Sequence, residues 1–129
     1  MEINRHDERP GVVMSLKDKD DINAFSRHLA RKNELKRRTE RRKKLIQLHE
    51  DANDELILLD DDAPVHYNIG DVFILDSKQD VEHTLEQTIT ELNNDVEQFT
   101  AELAQIEQSM TKLKATLYAK FGKTINLEE

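Results

Sequence analysis

The chain has 129 residues and a net charge of −8; 36% of its residues are charged, 36% hydrophobic and only 5% aromatic. With no cysteine it has no disulfide framework, no thiolate nucleophile and no Cys-based zinc site, and its 3 Gly and 2 Pro suit long solvated helices better than a compact globule. An acidic balance argues against a nucleic-acid partner, and no run approaches the ~20 apolar residues of a membrane span or the core of a signal peptide, so the chain is expected to be soluble and cytoplasmic.

Residues 1–14 are mostly polar, carry Pro10-Gly11 and show no period, so they read as a disordered arm. Ser15-Leu16-Lys17-Asp18 has the form of a capping box, a hydroxyl for an orphan N–H and an acid three residues on. Asp18, Asp20 and Asp21 also suit the positive end of a helix dipole. A helix over 15–59 follows, with no Gly or Pro inside it. Its apolar stripe is Ile22, Phe25, Leu29, Leu35, Leu45 or Ile46, Leu48, Ala52, Leu56 and Leu59, with Lys32, Lys36, Thr39 and Arg42 near the seam. Asp60-Asp61-Asp62-Ala63-Pro64 ends it, since acids oppose the negative end of the dipole and proline cannot continue the ladder.

Residues 64–76 read as a β-hairpin, two β-rich runs about a turn holding Asn68 and Gly70. Val72-Phe73-Ile74-Leu75 is apolar on both faces, as in a strand buried on both sides, and one hairpin cannot bury itself. Val65, Tyr67, Ile69, Gly70, Val72, Phe73, Ile74 and Leu75 are therefore expected to form an assembly contact with hairpins of other chains. Gly70 is the natural residue for a positive-φ turn.

A second helix is expected over 78–121, capped by Asp76 or Ser77, with Gly122 at its left-handed C′ position and a tail over 122–129. It carries the most informative feature of the chain: Leu85, Ile89, Leu92, Val96, Phe99, Leu103, Ile106, Met110, Leu113 and Leu117 alternate in steps of four and three. That period is shorter than the 3.6 of a straight helix and keeps one face inward only if the helix winds around a partner. The basic run at 31–44 holds nine Lys or Arg, whereas residues 79–111 hold eight acids and no Lys or Arg. Folding the two helices antiparallel brings these blocks together. With opposed residue numbers adding to about 139, Lys32 meets Glu107, Arg37 Glu102, Arg42 Glu97 and Lys44 Asp95. The expected fold is thus dominated by α-structure: a long antiparallel two-helix coiled coil with one β-hairpin at the bend.

The order helix, hairpin, helix resembles the β-type prefoldin family. The residues that carry the resemblance are Ile22-Asn23-Ala24-Phe25-Ser26-Arg27, Glu50-Asp51-Ala52, Asp60-Asp61-Asp62, Ile69-Gly70-Asp71-Val72-Phe73-Ile74, and Leu117-Tyr118-Ala119-Lys120-Phe121-Gly122 with Ile125-Asn126-Leu127-Glu128. Leu16 and Lys19-Asp20-Asp21 stand where the family usually has Phe and a Gln pair. The resemblance makes residues 15–129 one β-type prefoldin domain. It implies a heterohexamer of α-type and β-type subunits whose hairpins form a double β-barrel bearing coiled-coil tentacles. It further implies an ATP-independent cochaperone that takes unfolded actin and tubulin to the cytosolic group II chaperonin, resident in the cytoplasm and compatible with the nucleus.

Where both helices end, Ile22, Phe25, Leu117, Tyr118, Phe121, Ile125 and Leu127 form a candidate client-binding tip. Ile22, Phe25 and Leu117 lie on the seam, while Tyr118, Phe121, Ile125 and Leu127 exceed what a two-helix seam can bury and are expected to offer an apolar surface to an unfolded chain. No catalytic constellation, metal-ligand spacing or phosphate loop is present in the sequence, so neither an enzyme nor a cofactor is expected. The alternatives are a passive coiled-coil spacer and a nucleic-acid-binding arm using residues 31–44.

Overall fold

A computed structural model describes residues 2–3, 13–62, 64–69 and 72–129, with the backbone alone at 2–3, 64, 66–69, 72–76 and 123. Its elements are β1 (Glu2–Ile3), α1 (Leu16–Ile57), β2 (Pro64–Ile69), β3 (Val72–Ser77), α2 (Lys78–Phe121), a 3-10 turn (Gly122–Thr124) and β4 (Ile125–Asn126). The chain divides into two compact units, residues 1–37 with 100–129 and residues 38–99.

In the second unit, Arg42 Nε donates to Asp95 Oδ2 at 3.1 Å and the guanidinium lies 5.9 Å from the Phe99 ring centre. Further along, Leu56, Val65, Val81 and Leu85 form one buried cluster. Partner numbers rise on α1 as they fall on α2, so the helices here run antiparallel. α1 closes two residues before the expected position 59, in tight turns from Leu58 N–H to Glu55 O and Leu59 N–H to Leu56 O. Its end has no cation of its own. Lys78 Nζ, from the first turn of α2, donates to Leu59 O at 3.0 Å and to Asp61 Oδ1 at 3.2 Å and so supplies the charge the dipole favours. Ser77 caps α2, its Oγ accepting from Asp80 N–H at 3.2 Å. Between the helices in sequence β2 pairs antiparallel with β3, from Pro64↔Ser77 to Ile69↔Val72. Gly70, the expected turn residue, lies outside the described residues.

In the first unit the antiparallel sense repeats: Asp18 bonds Lys120, Lys114 Nζ sits 5.9 Å from the Phe25 ring centre, and Lys32 Nζ lies 3.6 Å from Glu107. α1 starts as a reciprocal capping box. Asp18 N–H donates to Ser15 Oγ at 3.1 Å, and Ser15 N–H donates to Asp18 Oδ2 at 2.8 Å. The arm expected to be disordered carries a strand: Glu2–Ile3 pairs with β4, Glu2 with Asn126 and Ile3 with Ile125.

Along α2 every one of the ten predicted seam residues is buried or half-buried. α1 differs from expectation. Its inward positions are Ile22, Phe25, Leu29, Lys32, Leu35, Thr39, Arg42, Ile46, His49, Asn53 and Leu56, whereas Leu45, Leu48, Ala52 and Leu59 face out. Two consecutive three-residue steps, Leu29 to Lys32 to Leu35, reset the seam, the kind of discontinuity that locally overwinds a coiled coil. The charge match holds at Lys32 with Glu107, but Glu102 takes Arg31 and Asp95 takes Arg42. Arg37 and Lys44 are exposed instead, because they fall between inward positions rather than beside them.

Candidate functional site

The end of α2 and the tail build the site. Gly122 follows Phe121 with φ 59°, the left-handed value that glycine adopts without a steric penalty. The chain reverses there through the 3-10 turn, with the Thr124 hydroxyl donating to Phe121 O at 2.6 Å. β4 (Ile125–Asn126) follows, and the Glu128 N–H donates back to Asn126 Oδ1 at 3.2 Å. Ile125 and Leu127 are buried while Asn126 and Glu128 are exposed, which is the two-residue alternation of a strand laid on a core. Leu127 N–H donates to Tyr118 Oη at 3.3 Å. Glu129 is held by two cations, Lys32 of α1 and Lys114 of α2, the latter at 3.5 Å. The hydrogen bond from Lys32 holds the Glu129 carboxyl below the usual carboxylate range, and the same bond raises Lys32.

This arrangement corrects the expected tip. Leu127 is 0% exposed, and Phe25, Leu117, Phe121 and Ile125 are buried with it. A two-helix seam would leave several of these in water; the folded-back tail is a third layer and closes the core. Of the seven tip residues only Tyr118 is exposed, at 41%, and Ile22 is half-buried. The apolar surface that remains open in this unit includes Val13 and Leu16, exposed by 76% and 77%. Sequence reasoning missed Lys32, Lys114 and Glu129 as tail anchors. The alternation Ile125, Leu127, Glu129 was the available signal, and a run of five residues is short for it.

At the other candidate site Val65 is buried with Leu56, Val81 and Leu85. For Tyr67, Ile69, Val72, Phe73, Ile74 and Leu75 the structure gives backbone pairing alone. Among the described residues no helix is long and apolar enough to cross a membrane, and no group of three or more His, Asp or Glu is placed to hold a metal ion.

Two long helices joined through a paired β element define a class already known from solved structures. The fold matches the crystal structure of the prefoldin beta subunit from Thermococcus strain KS-1 with a TM-score of 0.72, covering 86% of this chain and 97% of that one at 14% identity. The family model for prefoldin subunits matches residues 19–124, and the chain belongs to the prefoldin subunit family. It is similar to prefoldin subunit 4 of Homo sapiens, 39% identical over 118 residues covering 91% of this chain and 88% of the human one. It is also similar to prefoldin subunit 4 of Saccharomyces cerevisiae, 33% identical with 99% of each chain covered, and to the probable prefoldin subunit 4 of Dictyostelium discoideum, 33% identical with 98% and 96% covered.

Proposed function

We propose that this chain is the fourth-type subunit of a heterohexameric prefoldin, acting without ATP or any cofactor. It assembles with α-type and β-type subunits through its β element, captures unfolded actin-like and tubulin-like chains with the tip, and passes them to the cytosolic group II chaperonin. The observation that carries this reading is the family match across residues 19–124, which spans both helices and the β element together. Residues 15–129 act as the family's domain, and the working compartment is the cytoplasm.

Two physical arguments support the reading. Strand alternation assigns Val65, Tyr67, Ile69, Val72 and Ile74 to one face of the β pair and Phe73 and Leu75 to the other. A strand pair with apolar residues on both faces needs cover on each of them, which the β elements of other subunits would complete. The tip has apolar residues in excess of the seam: Ile125 and Leu127 of the tail are buried in the unit that also buries Phe25, Leu117 and Phe121, Ile22 is half-buried, and Tyr118 is exposed. Several weak tips acting on one client combine through effective concentration, so no single tip has to bind tightly.

Mixed with the other prefoldin subunits, the chain should enter a complex of hexameric mass in native mass spectrometry. That complex should suppress light scattering when denatured actin is diluted into it. Tyr118→Ser should weaken suppression without preventing assembly. A complex that assembles and leaves scattering unchanged would reduce the chain to a spacer.

A further inference from the structure

We propose that the tip contains a binding site for an extended polypeptide segment with apolar side chains two residues apart and a carboxylate two residues further on, and that residues 125–129 are its resident occupant. The inference rests on the client-binding reading of the tip and adds to it a ligand chemistry and a reason for reversibility. The occupant displays what the site accepts. Ile125 and Leu127 point into the core and are buried, Asn126 and Glu128 face water, and Glu129 ends the series between Lys32 and Lys114. Besides the pairing of β4 with β1, Leu127 N–H donates to the Tyr118 hydroxyl at 3.3 Å. Leu127 is completely buried, in the unit that also buries Phe25, Leu117 and Phe121.

Lys114 and Lys32 give the site its polarity. Lys32 is buried on the seam and pairs with both Glu107 and Glu129. Lys114 spans the Phe25 ring face and the Glu129 carboxylate. An apolar wall ending in two cations selects for an acid at one end of an apolar stretch, a choice that a greasy surface alone does not make.

The reach of the tail fits this role. From Phe121 back to the level of Lys114 is about 10 Å along a helix, and five extended residues cover about 16 Å. The tail therefore lies along the last two turns of α2 with Gly122 as its pivot. Tethered this way it competes at high effective concentration, so a free segment gains entry only when several tips hold the same chain or when the segment matches the site better than the tail does.

The probe is a fluorescent peptide of residues 122–129, added to the full chain and followed by anisotropy. In the Ile125→Ser/Leu127→Ser variant the tail loses its two buried apolar side chains while the site is untouched, and the peptide should bind about tenfold tighter than it does to wild type. Adding Lys114→Glu should reverse most of that gain. A peptide with Ser at both apolar positions and Lys at the last should not bind. Equal binding to wild type and to a variant of unchanged helicity overturns the proposal. A second measurement needs no variant: excess peptide should speed hydrogen exchange at the Leu127 amide of wild type, and an unchanged rate also overturns it. If the peptide fails while the assembled complex still suppresses actin aggregation, the site falls and the chaperone reading stands. Peptide binding without suppression gives the opposite result.

Discussion

Asp18 shows how much one residue can join. Its backbone N–H and carboxylate complete the capping box with Ser15, and the same carboxylate takes Lys120 from the far end of α2. The box was legible because its four residues are contiguous; the partner 102 residues away was not, since no local pattern marks it. The Lys120 hydrogen bond, followed by that of the Ser15 N–H, holds the Asp18 carboxyl down from 3.8 to about 2. A lowered folded-state value means the contribution is fully present above pH 3.8 and is lost as pH falls toward 2. Thermal unfolding of wild type and Asp18→Asn at pH 7 and at pH 2 should therefore show the variant less stable at neutrality and the gap closing in acid. A gap that persists at pH 2 would assign the effect to helix capping geometry alone.

At the scale of elements the two helices were unequally readable. The seam of α2 is apolar throughout and its period is unbroken, so sequence located its inward face residue by residue. The seam of α1 is interrupted by Lys32, Thr39, Arg42, His49 and Asn53, and it shifts by the extra three-residue step before Leu35. Hydrophobicity alone then favoured Leu45, Leu48 and Leu59, which face water. Which face of such a helix turns inward is decided by its partner, and that information is absent from its own period. His49 and Asn53 leave a testable mark. His49 Nδ1 donates to Leu45 O at 2.7 Å, while His49 Nε2 and Asn53 Oδ1 are buried without a hydrogen-bond partner among the described residues. A buried orphan of this kind costs about 1–3 kcal/mol, yet polar seam residues fix the register of a helix pair. Asn53→Leu should raise stability in urea unfolding by about 1 kcal/mol, whereas Leu48→Ser, 63% exposed in the wild type, should stay within about 0.5 kcal/mol. A destabilised Asn53→Leu would mean that the amide is satisfied in solution.

For the whole molecule, the division into two units predicts that assembly and tip closure fail separately. The β element and its supporting cluster of Leu56, Val65, Val81 and Leu85 belong to one unit; the tail and its anchors Lys32, Lys114 and Tyr118 belong to the other. Val72-Phe73-Ile74-Leu75 carried the expectation of company, because a strand apolar on both faces finds little cover inside so small a chain. Tip closure was not readable, because it depends on where a glycine pivot sends the last residues. Local stability follows local contacts, so a change in one unit should leave opening free energies in the other near their wild-type values. Phe73→Ser should abolish assembly with the other subunits in sedimentation velocity while hydrogen exchange at the Leu127 amide keeps its wild-type rate. Tyr118→Phe removes the hydroxyl that accepts from Leu127 N–H, so it should do the reverse: sedimentation unchanged, exchange at that amide several-fold faster. If Phe73→Ser also released the tail, the two units would be coupled through the helices, and the chain would have to be treated as one cooperative unit rather than two that open separately.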